Sequence, residues 1–322
     1  TRNLKKTLTL AAEDLTSGSK TLPEPAPVFS REQIQAFTRG NHERCFGKTY
    51  AVFEGRRIPC LPNGALQFMD RVVSLEAQAG IVQSGASITA EFDIPDRVWY
   101  LPEDRDHLPH LALMEISLQP CGFLAAYMGS ILDHPEVDFY FRNLDGEGRL
   151  LRELPPPGST IENQAVLVSS STLQDTIIQQ YQFELSSYSA PFYRGTASFG
   201  FFPAKMLRQQ KGLDGGKPFL PWRKSHPESG SWYASREQAG QDPAIPGLPC
   251  FERIWISPTG GRYGAGYVFL DQSIPPESWF YPAHFYQDPV MPGSLGVELM
   301  SRMLQEAAPR LTLEKDSTWR RQ

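Results

Sequence analysis

Two stretches of this chain echo one another across a long interval. Met69-Asp70-Arg71-Val72 returns as Phe251-Glu252-Arg253-Ile254, Phe92-Asp93-Ile94-Pro95 as Gln272-Ser273-Ile274-Pro275, and Trp99-Tyr100 as Trp279-Phe280. The tryptophans lie 180 positions apart (279 minus 99). Solenoid and propeller repeats recur every 20 to 50 residues or so, and this longer spacing fits a duplicated domain. With 322 residues, 40% of them hydrophobic, the chain has room for two domains and a core in each.

The first copy shows what kind of domain is repeated. Ser30 with Gln33 three places on is a capping box, so a short helix is expected from there to about Thr38. Sheet-like text follows at Leu66–Leu75, Ala86–Asp93 and Val98–Tyr100. A long helix is expected from about Leu111 to Gly129. Alternating strands are then expected through Phe139 and Phe141, Val166 and Val168, Tyr181 to Leu185, and Tyr193 to Phe201. Periodicity alone defines this only as α+β. The expected organisation is a linker and short helix over 1–40, a first domain over 41–207, a Gly/Pro/Ser-rich connector over 208–245, and a second domain over 246–322. Trp222 and Trp232 imply that the connector packs along a surface.

Composition narrows the function. A net charge of -5 and a pI near 5.7 argue against a nucleic-acid or membrane surface. Cys45, Cys60, Cys121 and Cys250 form no CxxC pair and read as reduced thiols of a cytoplasmic protein. His107 and His110 form an HxxH without a third ligand, so no metal is expected. No apolar run reaches the roughly 18 residues that span a bilayer, and no signal peptide opens the chain. The start at Thr1 leads us to expect a segment of a longer polypeptide.

Chemistry concentrates in Ala283–Leu304. His284 precedes Glu298 by fourteen residues (298 minus 284), with Asp288-Pro289-Val290-Met291-Pro292-Gly293 between them. This reads as a strand end, a rigid turn and a helix start whose first N–H groups are free. Histidine exchanges protons near neutrality, and helix-terminal N–H groups can polarise a carbonyl. Together these are the parts for proton abstraction beside a carbonyl.

Trp279-Phe280-Tyr281, His284-Phe285, Asp288 to Gly293 and Leu295-Gly296-Val297-Glu298 closely resemble the active-site segment of the FabA-like hotdog-fold 3-hydroxyacyl-[acyl-carrier-protein] dehydratases. Leu118-Gln119-Pro120-Cys121-Gly122 and the paired domains look most like the dehydratase region of bacterial polyunsaturated fatty acid synthases. The resemblance implies a double hotdog, His284 as base and the Gly293 amide in an oxyanion hole. It also implies an acidic helix residue. The family's acid-x-x-x-Gln pattern matches Glu115 and Gln119, whereas the second copy has Arg302 in place of the glutamine. The first copy offers Leu101 or Asp104 opposite His284, with His107 as a rival base, and is expected to lack a working histidine.

In the family each site lies between two hotdogs, which pairs His284 with Glu115. Glu298 remains the alternative acid, the more so if Pro120 kinks the helix. Gln119, Phe285, Asp288 and Pro292 are the expected substrate-contacting residues, with Asp288 shaping the turn.

The resemblance further implies an acyl carrier protein as partner, docking on a basic patch. Arg302, Arg310, Lys315, Arg320 and Arg321, or Lys205, Arg208 and Lys211, could supply it. Other synthase domains and a second copy of the chain are further expected partners, and no cofactor is expected. The reactions implied are dehydration, dehydration with trans-2 to cis-3 isomerisation, or none, in a scaffolding role. About fifteen residues follow the second copy's helix, so its sheet is expected to be incomplete, with an exposed edge.

Overall fold

The structure, a computed structural model, describes residues 26–96, 98–101, 108–173, 175–211, 215–217, 219–235 and 251–311. Asp104, His107, Cys250, Lys315, Arg320 and Arg321 lie outside the described residues.

The first unit is a six-stranded antiparallel sheet packed on one long helix. Its strands are β1 (Arg71–Glu76), β2 (Ser87–Asp93), β3 (Phe139–Leu150), β4 (Thr160–Leu173), β5 (Thr176–Ser187) and β6 (Ala190–Pro203), in the order β1-β2-β4-β5-β6-β3. Ahead of them come α1 (Arg31–Thr38), which carries the expected Ser30–Gln33 capping box, and α2 (His42–Phe46). Helix α3 (His110–Tyr127) is apolar all round and buried along most of its length, as a helix must be when neighbours enclose it. The sheet covers one side of it. Phe29, Phe37 and Phe46 pack edge-on or tilted against its Phe123. This is the hotdog arrangement.

The second unit has three strands among the described residues. They are β7 (Ser231–Ala234), β8 (Arg253–Ser257) and β9 (Tyr267–Phe269), in that order. Helix α7 (Gly293–Ala307) packs on β8 and β9, and Ala307 joins Phe251, Ile254 and Ile256 in a separate small core. The described residues also include the short α-helices α4 (Ala204–Gln209), α5 (Trp222–Ser225) and α6 (Phe280–His284).

The duplication is visible in space. Helices α3 and α7 pack on each other, and each begins directly after a proline, Pro109 in one and Pro292 in the other. The echoed Trp99 and Trp279 meet with ring centroids 4.8 Å apart. Contact between the echoed tryptophans and between the two long helices is what a near two-fold pairing of the units produces.

Five expectations differ from what is found. Strand β7 lies within the segment read as a connector and forms the edge of the second sheet. Its counterpart in the first unit is the single bridge of Phe29 to Val72. Trp222 does pack, stacked on His226 at 4.2 Å. Leu66–Asp70 is not strand, because Gln119 satisfies its backbone from the side: Nε2 donates to Leu66 O at 2.8 Å and Oε1 accepts from Phe68 N at 2.8 Å. Val98 makes only an isolated bridge with Leu101. Phe280–His284 is helical and not a strand end. Its buried Phe280 and Ala283 are three apart, a helical spacing, and Asn63 from the first unit donates to the carbonyls of Ala283 and Pro282.

The fifth is Pro120. Its ring removes the N–H that would bond Ile116 O, yet α3 runs through it from His110 to Tyr127. Asn163 of β4 supplies the missing donor, its Nδ2 lying 2.7 Å from Ile116 O and 3.2 Å from Ser117 O. The orphaned carbonyl thus becomes a tie between helix and sheet. Asn163→Ala is expected to cost about 1–3 kcal/mol in chemical denaturation, because a buried carbonyl loses its partner. In a Pro120→Ala background, where the helix amide is restored, that cost should largely vanish.

Candidate active site

Between α3 and the His284 loop lies a cavity of about 310 Å³, lined from both units. Helix α3 contributes Met114, Glu115, Leu118 and Gln119, four positions that share one helical face at 3.6 residues per turn. The second unit contributes His284, Phe285, Val290 and Met291, and then Gly293 and Ser294 at the first turn of α7. Apolar side chains dominate the walls, so few waters compete with the polar groups inside.

His284 ends α6 and is held by its own loop. Its Nδ1 lies 3.0 Å from Val290 O. A carbonyl only accepts, so Nδ1 carries the proton and Nε2 is the basic nitrogen. Burial disfavours the charged ring and takes the imidazole down to about 4, against a smaller opposing pull from the Val290 carbonyl bond. At neutral pH the ring is therefore an unprotonated base.

Glu115 is a carboxyl almost wholly withdrawn from solvent, 7% exposed. Ser294 Oγ donates to Oε1 at 2.6 Å and Gln119 Nε2 to Oε2 at 3.1 Å. Desolvation raises its pKa, and these two bonds counter the rise in part. Gln119 is fixed in turn by Leu66 O and Phe68 N, so the carboxyl is oriented by a residue that cannot itself rotate.

Gly293 is the first residue of α7, where a backbone N–H has no intrahelical acceptor. It is exposed, and a Cβ built on it would meet nothing within 4 Å. Gly293 lines the cavity, and the helix dipole favours negative charge at this end of α7.

The two carboxylates part company. Glu298 is also buried, at 1% exposure on α7, but it does not line the cavity that holds His284, whereas Glu115 does. Pro292 is buried as the residue preceding α7. Asp288 turns outward from the cavity lining to a bidentate pair with Arg142 of β3, at 2.6 and 3.3 Å, and its N–H closes the turn onto Phe285 O. Phe285 stacks on His284 at 3.9 Å and meets Phe141 of β3 edge-on. Ser294 and Arg142 were not singled out from the sequence. Ser294 follows the Pro-Gly helix start, a place where a hydroxyl often serves the helix end, and that was the available signal. Arg142 had none.

The first copy differs at the corresponding positions, and in the tryptophan register the residue opposite His284 is Asp104, outside the described residues. Aligning Glu115 with Glu298 sets Leu101 opposite His284, His110 opposite Gly293, Leu111 opposite Ser294 and Arg302 opposite Gln119. Only the glutamate persists. Among the described residues no group of three or more His, Cys, Asp or Glu could hold a metal, and no helix is long and apolar enough to cross a membrane.

Residues 243–322 match the FabA-like domain, and this FabA-like region contains His284, Gly293 and Glu298. The chain is also similar to one of the subunits of the polyunsaturated fatty acid synthase of Thraustochytrium sp., with 28% identity over 299 residues. That match takes in 84% of this chain and 20% of the relative, so the chain spans about a fifth of the relative's length. Among solved structures, the dehydratase heterocomplex ApeI:P of Xenorhabdus doucetiae is 16% identical, with a TM-score of 0.37 over 46% of this chain and 92% of that one. Smu.793 of Streptococcus mutans bound to acetyl CoA is 12% identical, with a TM-score of 0.31 over 42% and 90%.

Gln119→Leu is expected to lower the unfolding free energy by about 2–6 kcal/mol, since Phe68 N and Leu66 O are left without partners at about 1–3 kcal/mol each. Equilibrium guanidinium unfolding measures it.

Proposed function

We propose that this chain dehydrates 3-hydroxyacyl thioesters to trans-2-enoyl thioesters, on substrates carried by acyl carrier protein, in polyunsaturated fatty acid or polyketide-type synthesis. The observation that carries this reading is the convergence of a neutral imidazole, a buried carboxyl and an open helix-terminal N–H on one apolar cavity.

The thioester carbonyl sits against the Gly293 N–H, which stabilises the negative charge that grows on oxygen as C2 is deprotonated. Nε2 of His284 takes the C2 proton. Electrons from that C–H bond form the C2=C3 double bond, and the C3–O bond breaks. Glu115 supplies the proton with which the hydroxyl leaves as water, and the imidazolium later returns its own proton to the site. A raised carboxyl pKa beside a lowered imidazole pKa is the division of roles that an acid and a base need at one pH. General acid–base assistance of this kind is worth about 10² to 10⁴ in rate. The apolar walls from Met114, Leu118, Phe285 and Met291 receive the acyl chain. This mechanism calls on no metal or redox cofactor.

Turnover of a 3-hydroxyacyl carrier-protein thioester is expected to fall by about 10² or more in His284→Ala and in Glu115→Gln, and far less in Glu298→Gln. Unchanged turnover in the histidine variant would exclude the mechanism. Because His284 must be neutral, kcat/KM should rise with pH through about 4, instead of near 6.5 as for an exposed histidine, and should fall again at higher pH as Glu115 loses the proton it supplies. Gly293→Ala has room in the fold, so its melting temperature should hold or rise slightly, while the added methyl blocks the carbonyl and turnover drops.

A further inference from the structure

We infer that Arg142, on the first unit's sheet, is a positioning residue for His284, acting through Asp288 to fix the histidine's loop and to balance the charge beside its ring. The inference rests on the reading of His284 as the base and adds a residue that the reaction itself does not require.

The geometry is a clasp across the seam between units. Arg142 Nη1 and Nη2 reach Oδ2 and Oδ1 of Asp288 at 2.6 and 3.3 Å, and Nη1 also donates to Phe141 O at 2.7 Å. The guanidinium lies over the Tyr140 ring at 5.6 Å. So braced, it grips a turn four residues beyond His284. That turn carries a strained residue. Gln287 adopts φ +64, a left-handed conformation unfavourable for a residue with a side chain, and it persists only where neighbours impose it. Asp288 N–H to Phe285 O closes the turn, and Phe285 carries the contact onward by stacking on the imidazole.

The same pair sets the field at the ring. The charged or titratable groups facing His284 are Arg142 from β3, Asp288 from the loop and Glu115 from α3. Arg142 disfavours the imidazolium and Asp288 favours it, so the two act in opposite senses at the ring. Burial raises the Glu115 pKa, and its two oxygens are taken up by Ser294 and Gln119.

Removing one member of the pair leaves the other unopposed, and the two removals act in opposite directions. In Arg142→Met the bare Asp288 carboxylate stabilises the protonated ring, and the acid limb of kcat/KM moves up by about half a pH unit or more. In Asp288→Asn the bare guanidinium moves it down. The double variant returns towards the wild type in position, at reduced kcat, because the turn is no longer held. Arg142→Lys keeps the charge but loses the two-pronged grip, so its limb should stay in place while kcat falls.

The imidazole titration is followed in parallel by NMR on histidine-labelled protein, with His284→Gln identifying the resonance. Opposite shifts of the resonance in a protein without dehydratase activity support the pairing and refute the proposed function. Active variants whose resonance and limb do not move refute the pairing. If Arg142→Met fails to fold, Asp288→Asn and Arg142→Lys decide by the same criteria.

Discussion

A carboxyl buried between two helices must find hydrogen-bond donors, and that requirement organises the centre of this molecule. Glu115 finds one donor a turn away on its own helix and the other, Ser294, on the helix of the opposite unit. The bond to Ser294 can form only when the two units are docked. The cavity, the orientation of the carboxyl and the placing of Gly293 one residue before Ser294 are all consequences of that docking. Assembly of the units and assembly of the site are one event.

The two halves have divided their work. The first keeps the long sheet and the enclosed helix, and it supplies an oriented carboxyl. The second supplies the imidazole and the helix start that line the same cavity. Counted from the two glutamates, the first copy has Leu101, His110 and Leu111 where the second has His284, Gly293 and Ser294, and the second has Arg302 where the first has Gln119. Asymmetry of this kind leaves the first unit free to specialise in support, which fits the rigid anchoring of Gln119 on the Leu66–Phe68 backbone.

Local patterns made a good part of this legible. The Pro-Gly pair announced the start of α7, the Ser30–Gln33 box that of α1, and the tryptophan echo a duplication whose partners are in contact. His284, Glu115, Gln119 and Gly293 could all be named from motif and alignment. The other interactions join residues far apart in sequence: Ser294 lies 179 positions from Glu115, Arg142 lies 146 from Asp288, and Asn163 lies 47 from Ile116. No periodicity reports a partner at such distances. Pro120 shows the hazard, since its local rule foretells a kink and a distant asparagine cancels the cause. The aromatic run at Phe280 misleads in another way, reading as strand by composition while burying its side chains at helical intervals.

A contact between equivalent residues sits on the axis that relates them, and a contact between non-equivalent residues sits away from it. Trp99 against Trp279 is therefore a pivot, while Ser294 on Glu115 and Asp288 on Arg142 lie at a radius. A small twist of one unit against the other would scarcely disturb the indoles, yet it would swing both of the outer bonds open together. Leverage of this sort makes the reacting geometry the most twist-sensitive part of the interface, even though the bulk of the packing would register almost nothing.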